Sequence, residues 1–120
     1  WGDGSPLREF TYSLDLANIL MFLLEHYDGV EPLNVGNTGE HSIKEVAELV
    51  ATHIGFDGEI VWDVDKPKGQ FRKPSDNTKL LELGWKPKMD FVESIQLLIE
   101  HERSKREATN TVSQIVESNK

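Results

Sequence analysis

The run from Leu14 to Leu24, Leu-Asp-Leu-Ala-Asn-Ile-Leu-Met-Phe-Leu-Leu, constrains this chain more than any other stretch. Leu16, Leu20, Leu23, Leu24 and Tyr27 recur at helical spacing, and Ile19, Met21 and Phe22 fill the other faces. The pattern predicts a helix reaching about Tyr27, capped by Ser13 or Asp15, closed by Asp28-Gly29, and nearly enclosed by other structure. Enclosing it is demanding. The 120 residues suffice for one domain, but hydrophobic residues make up only 38% of them, so part of the core is expected to come from elsewhere or part of the chain to be tail.

The flanking sequence supplies few strands to help. Trp1-Gly-Asp-Gly-Ser-Pro6 reads as a tight loop, followed by a short strand at Glu9 to Tyr12. Because no cap, signal or initiator methionine precedes that loop, the chain is expected to continue a longer upstream sequence. Leu33-Asn34-Val35 reads as a second strand, Gly36 to Glu40 as a polar loop, and Glu59 to Trp62 as a third strand by its alternation. Ser42 and Glu45 form a capping box ahead of a helix carrying Ile43, Val46, Ala47, Val50 and Ile54. A brief helix follows from about Asp76 to Leu83, stopped by Gly84 and Pro87. Asp90 and Glu93 repeat the capping box for a last helix striped by Phe91, Ile95, Leu98 and Glu102. Residues 104–120 are polar and read as a frayed helix or a disordered tail, leaving 1–103 as the folded region. The order predicts an α/β chain that continues a sheet begun upstream.

Several functions are disfavoured by what the sequence contains. Without cysteine there is no disulfide scaffold or thiolate site, and the cytoplasm is the default compartment. A net charge of −8 argues against nucleic-acid binding, and no apolar run is long enough to span a bilayer. His26, His41, His53 and His101 lack ligand spacing, so no metal is assigned. Gly2-Asp3-Gly4 is a turn, not a dinucleotide fingerprint, because no strand precedes it and no helix follows. Asp63 and Asp65 read as a solvated pair.

Charge distribution is more telling than charge total. Lys66, Lys68, Arg72 and Lys73 stand in one loop without an anion, around Gly69 and Phe71. Such a loop is either a solvated surface feature or a clamp for one anionic ligand such as a nucleotide diphosphate. Arg8, after the glycine loop, has the donors for a bidentate phosphate contact, although residue chemistry alone favours an ion pair with Glu9 or Asp15. Trp1 either stacks on a ligand or packs into a core.

Two segments together resemble a family. Arg8-Glu9-Phe10-Thr11-Tyr12-Ser13-Leu14-Asp15-Leu16-Ala17 is similar to the arginine, acid, aromatic and aspartate-x-alanine signature of extended short-chain dehydrogenase/reductases acting on nucleotide sugars. Leu83-Gly84-Trp85-Lys86-Pro87 resembles a segment near their C-termini. The opening Trp1-Gly2-x-Gly4-x-Pro6-x-Arg8-Glu9-Phe10, with Gly69-Gln70-Phe71-Arg72-Lys73, resembles the branch that epimerises and reduces GDP-4-keto-6-deoxy-D-mannose, over Trp1 to about Glu102.

The resemblance implies a C-terminal, substrate-binding part of an extended Rossmann-type fold whose nucleotide-binding core is largely missing. It makes Trp1, Arg8, Lys68 and Lys73 the substrate-binding residues, with Arg8 on the diphosphate. Lys68 stands where many relatives have aspartate, which reverses a charge at a nucleotide contact. The family's glycine fingerprint, serine, tyrosine-lysine pair, and epimerising cysteine and histidine all lie before Trp1, so no catalytic residue is expected here. NADP is expected on that missing part, the complete enzyme as a cytoplasmic homodimer, and this piece alone as inactive. The alternatives are another nucleotide-sugar epimerase or dehydratase, or a noncatalytic module binding a nucleotide or protein.

Overall fold

The structure, a computed structural model, describes residues 1–37 and 39–118, with side chains as far as Asn110. Along the chain lie β1 (Leu7–Glu9), α1 (Ser13–His26), β2 (Glu40–Ser42), α2 (Ile43–Ile54), α3 (Thr78–Glu82) and α4 (Phe91–Ser118). The class is α/β, as the element order predicts.

Among the described residues the sheet has two strands. β1 and β2 run antiparallel, pairing Leu7 with Ser42, Arg8 with His41 and Glu9 with Glu40. The first strand therefore begins and ends earlier than Glu9 to Tyr12, because its antiparallel partner begins only at Glu40, opposite Glu9, and reaches Leu7 through Ser42 before turning into α2. β2 itself falls partly in the expected polar loop, since Glu-His-Ser has no alternation and becomes a strand through its neighbour. Conversely, Leu33–Val35 and residues 59–62 are not strands. A strand is defined by its ladder, and apolar alternation does not supply a partner. Residues 34–37 are held instead by side chains: Asn37 Nδ2 donates to Phe10 O at 3.1 Å, and Asn77 Nδ2 donates to Asn37 O at 3.2 Å.

The Ser42–Glu45 capping box forms in full. Ser42 Oγ accepts from Glu45 N at 3.0 Å, and Glu45 Oε2 accepts from Ser42 N at 2.8 Å. Gly55 ends the helix in the left-handed region at φ 72°, a conformation that glycine adopts without steric cost. The hydrogen bond from Ser42 N, joined by one from its hydroxyl, holds the Glu45 carboxyl below its usual range. A folded value below the unfolded one stabilises the fold above the ordinary carboxylate range, and that stabilisation fades as pH falls through the depressed value. Ser42→Ala is therefore expected to cost about 1 kcal/mol at neutral pH, and thermal melts should show the deficit shrinking in acid. At the last helix Asp90 caps alone, its Oδ2 accepting from Val92 N at 3.0 Å, and among the described hydrogen bonds the expected reciprocal bonds with Glu93 are not formed.

α1 departs from expectation at both its cap and its surroundings. Tyr12 is its N-cap and makes no side-chain capping bond, and the expected caps Ser13 and Asp15 both lie inside the first turn, Asp15 buried. The core beneath consists of Ile19, Leu80 and Trp85, with Phe22, Leu23, Leu33 and Val35 packed against them. Leu80 comes from α3, which is shorter than expected; Asp76 Oδ1 accepts from Thr78 N just before it. The rest of α1 is bare. Leu16, Leu20 and Leu24 form one exposed ridge, with Leu14 and Met21 exposed beside it, so the helix is not enclosed. This chain's own residues are too few to cover a second face.

α4 packs on α2 through its first half, where Gln96 Nε2 meets His53 Nε2 at 2.9 Å and Arg103 donates to His53 O at 3.2 Å. Its backbone stays helical beyond Arg103 to Ser118, supported by local pairs such as Lys105 with Glu102 at 3.0 Å. Residues 119–120 of the expected tail lie outside the described residues.

Candidate functional site

Two loops meet edge to edge at the start of β1. The first, residues 1–6, is docked on the N-terminus of α2: Lys44 N donates to Gly4 O at 2.9 Å and Ile43 N to Pro6 O at 3.1 Å. Those two amides would otherwise lack helical partners. Gly2 and Gly4 both have positive φ, at 74° and 73°. They are also crowded. A Cβ on Gly2 would stand 2.5 Å from Lys68 Cβ, and one on Gly4 would stand 2.6 Å from the Trp62 ring.

The second loop is residues 66–73, and backbone bonds tie it down. Gly2 N donates to Asp63 O at 2.8 Å, and Leu7 N donates to Phe71 O at 2.8 Å. Arg8 adds its side chain, Nη1 donating to Leu7 O at 2.6 Å and Nη2 to Gln70 O at 2.9 Å. The expected acidic partners of Arg8 are thus corrected: it bonds neutral carbonyls, while Glu9 accepts from Ser75 N at 3.0 Å and Asp15 is buried in the first turn of α1. Its guanidinium lies against Gly69, where a Cβ would come 3.8 Å from Nη2.

The cations of the second loop differ in how they are held. Arg72 Nε donates to Glu40 Oε2 at 2.6 Å, and the pair raises the guanidinium's affinity for its proton. Lys68 Nζ lies 2.8 Å from Asp3 Oδ2. Lys66 sits over the Trp1 ring, 5.8 Å from its centroid, and Trp1 is 79% exposed. Lys73 is exposed, and no ion pair joins it to another described residue.

Of the four residues singled out from the sequence, Trp1, Arg8 and Lys68 each touch the opposite loop at the junction, Trp1 under Lys66, Arg8 against Gly69 and Lys68 on Asp3 and Gly2. Lys73 emerges past the Arg72–Glu40 anchor and makes none of the contacts that join them. Sequence reasoning missed Asp3. Its signal was the Asp3-x-Ser5 spacing of an Asx turn, and the structure has Ser5 N and Oγ donating to Asp3 Oδ1 at 3.0 and 2.6 Å. The Lys68 hydrogen bond, with those two from Ser5, holds the Asp3 carboxyl far below its usual range. No described group of histidine and carboxylate side chains has the arrangement of a metal site.

The cations of this surface are chemically matched to an anion. The first loop is not built as a dinucleotide turn, because its glycines are filled by Lys68 and Trp62 and its carbonyls, not its amides, face the helix.

Comparison with known proteins agrees with the residues. Residues 1–36 match the NAD dependent epimerase/dehydratase family. The chain is 52% identical over 95 residues to a probable GDP-L-fucose synthase 1 of Oryza sativa subsp. japonica, covering 79% of this chain and 29% of that protein. Its fold is similar to a GDP-L-fucose synthetase from Naegleria fowleri crystallised with NADP, at TM-score 0.75 and 35% identity over 79% of this chain and 30% of that one. A UDP-glucose 4-epimerase from Thermotoga maritima, crystallised with UDP-glucose, matches at TM-score 0.76 and 29% identity over 88% and 34%. The chain spans about three-tenths of the length of these relatives. Over that span it is similar to GDP-L-fucose synthases, and its residues 1–36 match the NAD dependent epimerase/dehydratase family.

Proposed function

We propose that the chain is the C-terminal, substrate-binding part of a GDP-L-fucose synthase. That enzyme converts GDP-4-keto-6-deoxy-D-mannose to GDP-L-fucose by 3,5-epimerisation and NADPH-dependent 4-reduction. The observation that carries the reading is Arg8: two of its N–H groups are fixed on backbone carbonyls and its fork lies against Gly69, in the loop that also carries Lys68. A guanidinium held this way meets a diphosphate with little further ordering. Holding the GDP end orients the sugar for reaction elsewhere, which contributes to rate by positioning.

The bare ridge of α1 supports a larger parent, since Leu24 is 79% exposed and the helix borders an open groove of about 490 Å³ lined by Met21, Phe22 and Trp85. In this reading NADP and the catalytic groups belong to that larger part, residues 1–103 are the substrate-binding region and the remainder is an appendage. The complete enzyme is a cytoplasmic homodimer, and this chain alone reduces nothing. Among the described residues no helix is long and apolar enough to cross a membrane.

A second reading, another nucleotide-sugar epimerase, is favoured by the similarity to the UDP-glucose 4-epimerase. Calorimetric titration of the full-length protein with GDP and with UDP separates the two, with tighter binding of GDP expected. Equal affinities would remove the guanosine assignment, and no binding of either would remove the nucleotide role.

A further inference from the structure

We propose that Asp3 is an internal competitor for the nucleotide diphosphate, holding the Lys68 ammonium in the free protein and giving it up when the diphosphate arrives. The inference rests on the nucleotide-sugar reading above and adds a positioning residue to it.

The four cations of residues 66–73 are unequally available. Arg72 is locked to Glu40, whose side chain is only 13% exposed within β2, so exchanging that pair would uncover a buried carboxylate. Lys68 and Asp3 are different, with side chains 50% and 43% exposed. An ion pair so open to water is held weakly, and a second anion can replace either partner at little cost.

The backbone makes this exchange local. Gly2 presses on the Lys68 stem, closely enough that a Cβ there would stand 2.5 Å from Lys68 Cβ. Lys68 therefore stays where it is and only its ammonium swings. Asp3 is pinned as well, since Ser5 holds Oδ1 with two hydrogen bonds while Lys68 takes Oδ2. The next residue, Gly69, lies against the Arg8 guanidinium. A diphosphate bound at Arg8 thus presents a double negative charge beside an ammonium that already holds a single one. Lys68 then turns toward the phosphate only by giving up its pair with Asp3, so the carboxylate acts through the ammonium that the two anions share.

The test is a double-mutant cycle on GDP binding by the full-length protein, using Asp3→Asn, Lys68→Gln and both together. Asparagine keeps an Oδ1 for the two Ser5 bonds and removes only the charge. Asp3→Asn is expected to tighten GDP about two- to fivefold, the scale of an exposed ion pair, and Lys68→Gln to weaken it. In the Lys68→Gln background Asp3→Asn should have little effect. Equal tightening in that background would overturn the proposal, showing a general field and no shared ammonium. Looser binding in Asp3→Asn alone would overturn it too, making Asp3 an organiser of the site. A second readout follows the Asp3 carboxyl by NMR titration: saturating inorganic pyrophosphate should raise its depressed pKa, and an unmoved value with pyrophosphate bound counts against the exchange. If wild type binds GDP normally while the cycle shows no coupling, this inference alone fails; if no variant binds GDP, the nucleotide reading fails with it.

Discussion

Replacing Arg8 by alanine is expected to weaken binding of a GDP-sugar to the complete enzyme by about 1.5 to 3 kcal/mol, the range for a charged hydrogen bond. The loss corresponds to roughly tenfold to more than a hundredfold in affinity. Two effects contribute. The substitution removes the one guanidinium at the loop junction that no described carboxylate pairs with, and it cuts the side-chain ties to Leu7 O and Gln70 O. Arg8→Lys tells them apart. Lysine keeps the charge and loses the fork, so affinity should fall well short of wild type although the positive charge remains. Titration calorimetry gives both affinities, and melting curves report whether the loops have come loose. Wild-type binding by Arg8→Ala, joined to a lowered melting temperature, would reduce Arg8 to a fastening between loops.

The second large effect concerns the core. Leu80→Ala is expected to cost about 2 to 5 kcal/mol, from lost burial and the cavity left behind. Leu80 is 0% exposed, and only Ile19 and Trp85 share its degree of burial among the described hydrophobic residues. With so few members the core has no redundancy. Trp85 also meets Phe22 with ring centroids 5.5 Å apart, so a void at Leu80 loosens the contact between α1 and the Gly84 turn. A domain's whole stability is commonly 5 to 15 kcal/mol, so such a loss takes a large share of it. Urea unfolding measures the effect, with Leu24→Ala as the control. Leu24 is exposed on the α1 ridge, and removing it should change stability by less than about 0.5 kcal/mol in the isolated chain. A cost below about 1 kcal/mol for Leu80→Ala would mean that the fold does not depend on this cluster.

The helices were legible because their signals are local. Ser42 and Glu45 are three residues apart and satisfy each other, and Gly55 supplies the left-handed residue that ends the turn. The strands were not, because a strand depends on a partner distant in sequence. Glu40-His41-Ser42 has a strand's geometry and none of its pattern, while residues 59–62 have the pattern and no ladder. Within the site, glycines beside Arg8 and cations around Gly69 marked the right loops. The partner of Arg8 was misjudged for the same reason: nearby acids were visible in sequence, but Gln70 O lies 62 residues away. Asp3 went unnoticed because its importance comes from Lys68, which is just as remote.

The leucine ridge on α1 also bears on what stability means for this molecule. Leu16, Leu20 and Leu24 in water gain from meeting any apolar surface, and whatever binds the folded form alone stabilises it by mass action. The folding free energy is then no fixed attribute of these 120 residues. It depends on the concentration and identity of what the helix meets, so a midpoint measured at one dilution describes a mixture as much as a fold.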